Sequence, residues 1–304
     1  MNLTKKSLQD LNLLDRFLFA EAMEDPVIMQ NVLEIILGKD ICLKHPPQTE
    51  KEQRTSPLNR FIKLDVWARD SDGTVYDTEV QQEDTKNLPM RSRYYQSLID
   101  CRLLPPGEVD FNRLSEIYII LIAPFDLFGH GLYCYTFHPT CDEVPGLTLK
   151  DKATRIFLNT HGTNSQDVNP ELIELLKYME HTNEAVSERC ASEKIHDIQR
   201  RIQAIKSSEE IGVKYMQAWE ERILEQNKAR EEGLEQGLAR GRSEGLAQGR
   251  SEGLEQGRSE GLLQERERLN HLYSLLIKAN RADEIARATE DPDFLDALYR
   301  EFQL

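Results

Sequence analysis

The sequence predicts an α/β domain built on a small mixed sheet, followed by a long helical region. Three observations support this class: a β-hairpin pattern at residues 61–82, an apolar run at residues 117–123, and amphipathic helical patterns on both sides of them. The length of 304 residues favours two units. The formal net charge of −15 argues against nucleic-acid binding by bulk electrostatics, because phosphate contacts need clustered Lys and Arg side chains.

No apolar run of about 18 residues is present, so no transmembrane helix is predicted. The N-terminal residues lack the uninterrupted apolar segment of a secretory signal. Five cysteines form no CxxC pair, and their odd number agrees with a reducing compartment. We therefore expect a cytoplasmic protein with no membrane contact.

The first predicted elements are helical. Apolar residues recur at helical spacing over residues 7–37, with a break at Asp25-Pro26 and an end at Gly38. This apolar stripe predicts core packing. Residues 45–57 are polar and contain prolines, which predicts a loop.

The hairpin follows at residues 61–82. Residues 61–68 alternate apolar and polar side chains, and residues 74–81 are rich in β-forming types. A three-residue loop ending in Gly73, with this glycine in the left-handed conformation, places Asp70 beside Thr74. The residue numbers of paired positions then sum to 144.

This register places several polar side chains on one side of the hairpin, because side chains alternate between the two faces of a strand. It pairs Asp65 with Glu79, Lys63 with Gln81, and Trp67 with Asp77. Directly opposed like charges destabilise a strand pair unless a cation lies between them. The pattern therefore predicts a divalent metal between Asp65 and Glu79.

Beyond the hairpin, residues 89–104 predict a third helix with Pro89 in its first turn. Residues 117–123 (IYIILIA) predict a strand buried on both faces. Residues 131–137 and 155–159 predict two further strands. Asp126 is interpreted as a turn residue.

The chain from Pro170 onward predicts polar helices, and residues 233–261 carry glycine at every fourth position in the octapeptides GRSEGLAQ, GRSEGLEQ and GRSEGLLQ. In a helix, a four-residue spacing drifts by about 40° per step, so the glycines form a slowly winding stripe. Such a stripe permits close approach of another helix. A spacer that expanded by duplication and contacts nothing is the alternative.

Residues 262–279 predict an amphipathic helix, and residues 282–289 and 292–302 a closing helical pair. This pair has the layout of a helix-turn-helix but no basic helix to contact DNA. The chain is accordingly divided into residues 1–165, a helical region at 166–230, the repeat at 231–262, and a helical hairpin at 263–304.

Asp65, followed 14 residues later by Glu79-Val80-Gln81, resembles the D…(D/E)xK core of the PD-(D/E)XK nuclease superfamily, with glutamine in the lysine position. The segments LDVWARDSDGTVYDTEVQ, RSRYYQSLID and IYIILIAPFDLFGHGLYCYTF, in that order, resemble the Rpn family of recombination-promoting nucleases, also described as PD-(D/E)XK transposase-like proteins. Asp15-Arg16-Phe17 is similar to that family's opening aspartate-plus-aromatic motif. The resemblance covers about residues 10–160 well and the tail loosely.

This resemblance implies a restriction-endonuclease-like core and a divalent-metal-dependent DNA endonuclease associated with recombination or mobile elements. It implies Mg²⁺ or Mn²⁺ held by Asp65, Glu79 and the carbonyl of Val80. Asp15 would be an outer carboxylate, and Gln81 would orient the attacking water. An amide cannot act as a general base or a cation, so Lys63 is considered as a replacement amine. A solvated strand residue is the alternative for Lys63.

Arg91, Arg93 and Tyr94 on the third helix are candidate DNA contacts, because they could clamp a phosphate or stack on a base. Tyr95 fits a buried stripe instead. Double-strand chemistry usually needs two active sites, so a homo-oligomer through the helical region is expected. The main alternative is a catalytically weak or inactive protein that acts as a DNA-binding or oligomerisation module. A purely structural coiled-coil protein would leave the two carboxylates unexplained.

Overall fold

A computed structural model describes residues 6–53 and 62–304, with only the backbone described for residues 50–53 and 62–65. The chain forms two compact units, Met1–Arg222 and Ile223–Leu304. No described helix combines the length and the apolar character that a membrane span requires.

The first unit contains a six-stranded sheet with the order β1-β2-β3-β4-β6-β5. Neighbouring strands are antiparallel from β1 to β3, parallel from β3 through β4 to β6, and antiparallel between β6 and β5. The sheet confirms the predicted mixed α/β class. Its strands are β1 (Gln48–Gln53), β2 (Ile62–Arg69), β3 (Val75–Val80), β4 (Ile117–Ala123), β5 (Cys134–Phe137) and β6 (Ala153–Asn159).

Strands β2 and β3 form the predicted hairpin in the predicted register. The paired residues are Val66 with Thr78, Trp67 with Asp77, Ala68 with Tyr76, and Arg69 with Val75. Gly73 has a φ of 89°, and the Asp70 amide donates to the Thr74 carbonyl at 3.1 Å. Since residues other than glycine rarely adopt this φ, Gly73 closes the turn and sets the register.

Asp70 holds this turn from the inside. Its carboxylate accepts hydrogen bonds from the Thr74 amide at 2.8 Å and from the Tyr76 hydroxyl at 2.7 Å. Asp70 is only 6% exposed and Tyr76 is fully buried. Burial raises the pKa of Tyr76, and the hydrogen bond to Asp70 raises it further, so the hydroxyl remains a donor.

Helices cover both faces of the sheet. One core combines even-numbered residues of β3 and β4 with buried residues of α1 (Arg16–Met23), α2 (Pro26–Leu37), α4 (Pro170–Glu180) and α6 (Glu193–Lys206). The other combines odd-numbered residues of β3 and β4 with α3 (Leu88–Leu103). A short helix, α5 (Glu184–Ser187), lies between α4 and α6 in the chain. The break at Asp25-Pro26 is confirmed, and so is the end of α2 at Gly38, which has a φ of 63°.

Three predicted boundaries are wrong. From residue 6 onward, where the description begins, only a 3₁₀ turn, Leu8–Asp10, precedes α1, which begins at Arg16 because Asp15 caps it. Residues 48–53, predicted within a loop, form β1, whose polar sequence lacks the apolar alternation of a strand but pairs through its backbone with β2. The strand predicted at residues 131–137 begins only at Cys134. Residues 54–57 of the predicted loop lie outside the described residues.

The glycine repeat lies in α7 (Glu209–Lys278), a continuous helix of 70 residues. In the second unit, the end of α7 packs with α8 (Glu284–Glu290) and α9 (Pro292–Glu301) around Leu272, Leu276, Ala288, Leu298 and Tyr299. The closing helical pair is therefore confirmed. The four-part division of the chain stays a prediction, although α4 and α6 share the core of the sheet.

Candidate active site at the end of strand β3

Strand β3 presents two buried carboxylates to the layer of α3. Val75, Asp77 and Glu79 are spaced two residues apart along β3, so their side chains share one face of the strand. Val75 packs in the core beneath α3, which identifies this face as the α3 side. Asp77 is 0% exposed and Glu79 is 2% exposed. Their neighbours in β4 are Ile119 and Leu121, which carry no charge. Compensation for this negative charge must therefore come from elements other than β4, since ionised groups are buried only with partners.

Arg91 of α3 supplies such compensation at the end of the strand. Its Nη2 atom lies 3.1 Å from Glu79 Oε2 and 2.7 Å from Gln81 Oε1. The Arg91 side chain is 25% exposed, whereas that of Glu79 is 2% exposed, so the ion pair is largely shielded from water. The Arg91 guanidinium thus bridges Glu79, near the end of β3, and Gln81, which directly follows the strand.

The first turn of α3 fixes the position of Arg91. Leu88 is 1% exposed and anchors this turn in the core. The Arg91 amide donates to the Asn87 carbonyl at 2.9 Å, and the Ser92 hydroxyl donates to the Pro89 carbonyl at 2.8 Å. The guanidinium carbon also lies 5.6 Å from the centre of the Tyr95 ring.

Asp65 and Lys63 both lie in β2, the strand beside β3. The observed β2–β3 pairs run from Arg69–Val75 to Val66–Thr78, and the predicted pair Asp65–Glu79 would be the next one. The side chains of Asp65 and Lys63 lie outside the described part of the structure, so their proposed roles stay predictions. Among the described side chains, no group of three or more His, Cys, Asp or Glu residues converges to hold a metal.

Asp15 caps α1, accepting hydrogen bonds from the amides of Phe17 at 3.0 Å and Leu18 at 3.4 Å. The Gln82 side-chain amide donates to the Leu14 carbonyl at 2.9 Å. The start of α1 therefore lies at the same end of β3 as Gln81. The predicted outer-carboxylate role of Asp15 stays a prediction.

The other α3 candidates differ in exposure. Arg93 and Tyr94 are exposed, Tyr94 by 38%. Tyr95 is partly buried and packs against the α3 core, which confirms its predicted core position. Of the predicted contacts, Arg93 and Tyr94 are therefore the exposed pair, whereas the Arg91 side chain is 25% exposed.

A second polar group beneath α3 was not predicted from the sequence. Arg155 of β6 donates to Gln96 Oε1 at 2.6 Å, and the Gln96 amide donates to Asp100 Oδ2 at 3.3 Å. Burial raises the pKa of Asp100, although Gln96 and Arg155 both favour its ionised form. Gln96 and Asp100 are one turn apart on α3, whereas tertiary packing brings Arg155 to them. Asp77, by contrast, is placed on the same face as Glu79 by the register that the sequence predicts, and its pairing with Trp67 is observed.

Asp126, interpreted as a turn residue, has that structural role. It accepts hydrogen bonds from the Tyr135 hydroxyl and from the amides of Phe128, Gly129 and Gly131. Desolvation opposes ionisation of this carboxylate, but these hydrogen bonds outweigh it and lower its pKa. All four donors belong to the segment that links β4 to β5 or to β5 itself, so Asp126 stabilises this turn.

Comparison with protein families gives one finding. A family model described as "PD-(D/E)XK nuclease family transposase" matches residues 15–232. This range includes the whole sheet, helices α1 to α6 and the start of α7. Neither the curated proteins nor the solved structures compared with the chain include a match.

Proposed function

The chain belongs to the PD-(D/E)XK nuclease family transposases, and from this we propose that it is a divalent-metal-dependent DNA endonuclease that acts in recombination or mobile-element activity. The observation that carries the proposal is the end of β3, where a buried carboxylate, Glu79, and the glutamine two residues later are held by one arginine. We take the six-stranded sheet as the PD-(D/E)XK core.

The donor types at this site suit a hard divalent cation. Glu79 is a buried carboxylate, and the register predicted from the sequence would pair it with Asp65. Carboxylate and carbonyl oxygens are the ligands that Mg²⁺ and Mn²⁺ prefer. We expect Asp65, Glu79 and the Val80 carbonyl to hold the ion. When bound, it would polarise the scissile phosphate and make water a better nucleophile at neutral pH.

The chain's own residues restrict the geometry of this site. Gln81 Oε1 accepts from Arg91, and its amide donates to the Glu83 carbonyl at 2.9 Å, so both ends of the side chain are held. In this role Gln81 orients the attacking water through the remaining acceptor capacity of its oxygen, but it takes no proton. Asp15 would act as an outer carboxylate, and Lys63 remains a candidate amine.

DNA would contact the exposed side of α3. Arg93 and Tyr94 are accessible there, one turn or less from Arg91. An arginine and a tyrosine can bind a phosphate and a base without sequence preference. Such local contacts are compatible with the net charge of −15, because the metal neutralises phosphate at the site itself.

One observation favours a second candidate function. Position 81 has glutamine in place of the superfamily's lysine, which removes a cation and a proton donor from β3. In this alternative, the chain keeps the nuclease fold and acts as a DNA-binding or oligomerisation module.

Self-association through α7 completes the proposal. A Cβ atom added at any of the eight repeat glycines would meet nothing within 4 Å in the same chain, and the five leucines of residues 231–262 are 65–69% exposed. This face is available to a second chain, which would bring two nuclease sites to one DNA. The spacer alternative is supported by pairs within the helix such as Arg240–Glu244 at 2.7 Å, which stabilise it without a partner.

Plasmid nicking with Mg²⁺ or Mn²⁺ tests the activity. Wild-type protein should convert supercoiled plasmid to the open form, and Asp65→Ala should not. Asp72→Ala, an exposed carboxylate in the same hairpin turn, is the matched control and should cleave like the wild type. Equal cleavage by wild type and Asp65→Ala would refute the proposal. DNA retention on a filter without cleavage by any variant would favour the binding module.

A further inference from the structure

Arg91 of α3 contacts Glu79 and Gln81 at the end of β3, and this geometry bears on how a nuclease site can lack lysine at position 81. We propose that Arg91 is a positioning residue that supplies from α3 the positive charge absent from β3, and that it does so by holding Glu79 and Gln81 together. This inference rests on the proposed endonuclease function.

The distances support a bridge. A single atom, Nη2, is within hydrogen-bond distance of Glu79 Oε2 at 3.1 Å and Gln81 Oε1 at 2.7 Å. This nitrogen carries two hydrogens, one for each acceptor. Bound in this way, Arg91 fixes the spacing between the predicted metal ligand and the residue predicted to orient water.

The burial of the guanidinium indicates more than a structural link. Within the part of the chain that the structure describes, Arg91 Nε is buried and has no hydrogen-bond partner. A buried unsatisfied donor costs stability and is uncommon in native proteins. Such a cost is typical of a group that serves the chemistry of a site.

The distribution of charge around β3 also supports this role of Arg91. Asp77 and Glu79 are both almost fully buried on the α3 face of β3, where the predicted register would also place Asp65. Gln81 contributes no charge to this set. Arg91 therefore compensates the buried charge of Glu79 through their ion pair, and its positive charge must also repel a divalent cation bound at Glu79.

Loss of Arg91 should therefore change the nicking rate and the Mn²⁺ affinity in opposite directions. Replacing Arg91 with methionine should lower the nicking rate at saturating Mn²⁺ by about 10²–10³-fold, because a preorganised positive group is lost. The same variant should bind Mn²⁺ more tightly, by about two- to fivefold, because the competing cation is gone. A residue that only supported the fold would lower both activity and affinity.

The experiment compares the full-length wild type with Arg91→Met, Arg91→Lys and Arg102→Met. Arg102 is exposed near the end of the same helix and serves as the control, with nicking and Mn²⁺ affinity unchanged. Mn²⁺ affinity is measured by calorimetry without DNA, nicking on plasmid, and folding by thermal melting. Arg91→Lys keeps the charge but not the planar fork, so it should have wild-type Mn²⁺ affinity and recover part of the nicking.

Nicking by Arg91→Met at the wild-type rate would overturn the role of Arg91 and leave the proposed function standing. A parallel loss of nicking and Mn²⁺ affinity would also overturn it. If Arg91→Met does not fold, Arg91→Lys decides, and a folded lysine variant that does not nick, or that has lost Mn²⁺ affinity, would refute the inference. A wild type that does not nick refutes the proposed function, and this role with it.

Discussion

Replacing Asp70 with alanine should destabilise the first unit by about 3–5 kcal/mol, because the turn of the hairpin depends on this one buried carboxylate. The substitution removes hydrogen bonds from the Thr74 amide at 2.8 Å and the Tyr76 hydroxyl at 2.7 Å. Each hydrogen bond to a charged group contributes about 1.5–3 kcal/mol. It also leaves both donors buried, at 6% and 0% exposure for Thr74 and Tyr76.

Tryptophan fluorescence during urea unfolding at pH 7 measures this cost. The chain has two tryptophans, Trp67 and Trp219, and both lie in the unit Met1–Arg222, so the signal reports that unit. Asp72→Ala in the same turn is exposed and should change the free energy of unfolding by less than about 0.5 kcal/mol.

A double-mutant cycle isolates the buried contact of Asp70. Asp70→Ala and Tyr76→Phe should be coupled by about 1 kcal/mol or more, because the two side chains are hydrogen-bonded to each other. If Asp70→Ala costs no more than Asp72→Ala, or if the cycle shows no coupling, the buried carboxylate does not hold the hairpin and the reasoning fails.

Three further predictions concern other parts of the chain. The lowered pKa of Asp126 means that its stabilisation is present above pH about 4 and is lost as pH falls through the folded pKa. Asp126→Asn should therefore cost about 1–3 kcal/mol at pH 7 and less at pH 3 in urea unfolding; an equal cost at both would contradict this. Gly162→Ala should destabilise the first unit by about 1–3 kcal/mol, because its Cβ would approach the Tyr133 ring to 2.3 Å; an unchanged thermal midpoint would show that the ring moves freely. Alanine at all eight repeat glycines should stabilise the isolated helix by about 1 kcal/mol per site. If close packing at the glycines holds the oligomer, the same change should reduce the mass measured by light scattering. An unchanged oligomer would contradict glycine-mediated packing.

The hairpin could be predicted from the sequence because its determinants are local. Alternating side chains and Gly73 fix the strands and their register, and the observed pairs Val66–Thr78 and Arg69–Val75 agree. The same holds for β4, whose apolar run matches a strand buried on both faces. Strand β1 was missed because a polar edge strand is specified by backbone pairing with β2, which leaves no apolar pattern.

The site was predictable only in part. Glu79 lies in β3 and Gln81 directly follows its last residue, so the period-two spacing of the motif predicts that they share a face. The contact of both with Arg91 depends on how closely α3 packs against the sheet, and no local pattern encodes that distance. Gln96 and Asp100 are one turn apart on α3, but Arg155 is distant in sequence and meets them only through packing.

The most direct test of the central claim is the Mn²⁺-dependent nicking rate of Asp65→Ala, Glu79→Gln and the double variant beside the wild type. If both carboxylates hold one metal, each single substitution should lower the rate by about 10³-fold or more, and the double variant should lose no more than the single variants. Wild-type rates in either single variant, or losses that multiply in the double variant, would contradict a shared metal site on the hairpin.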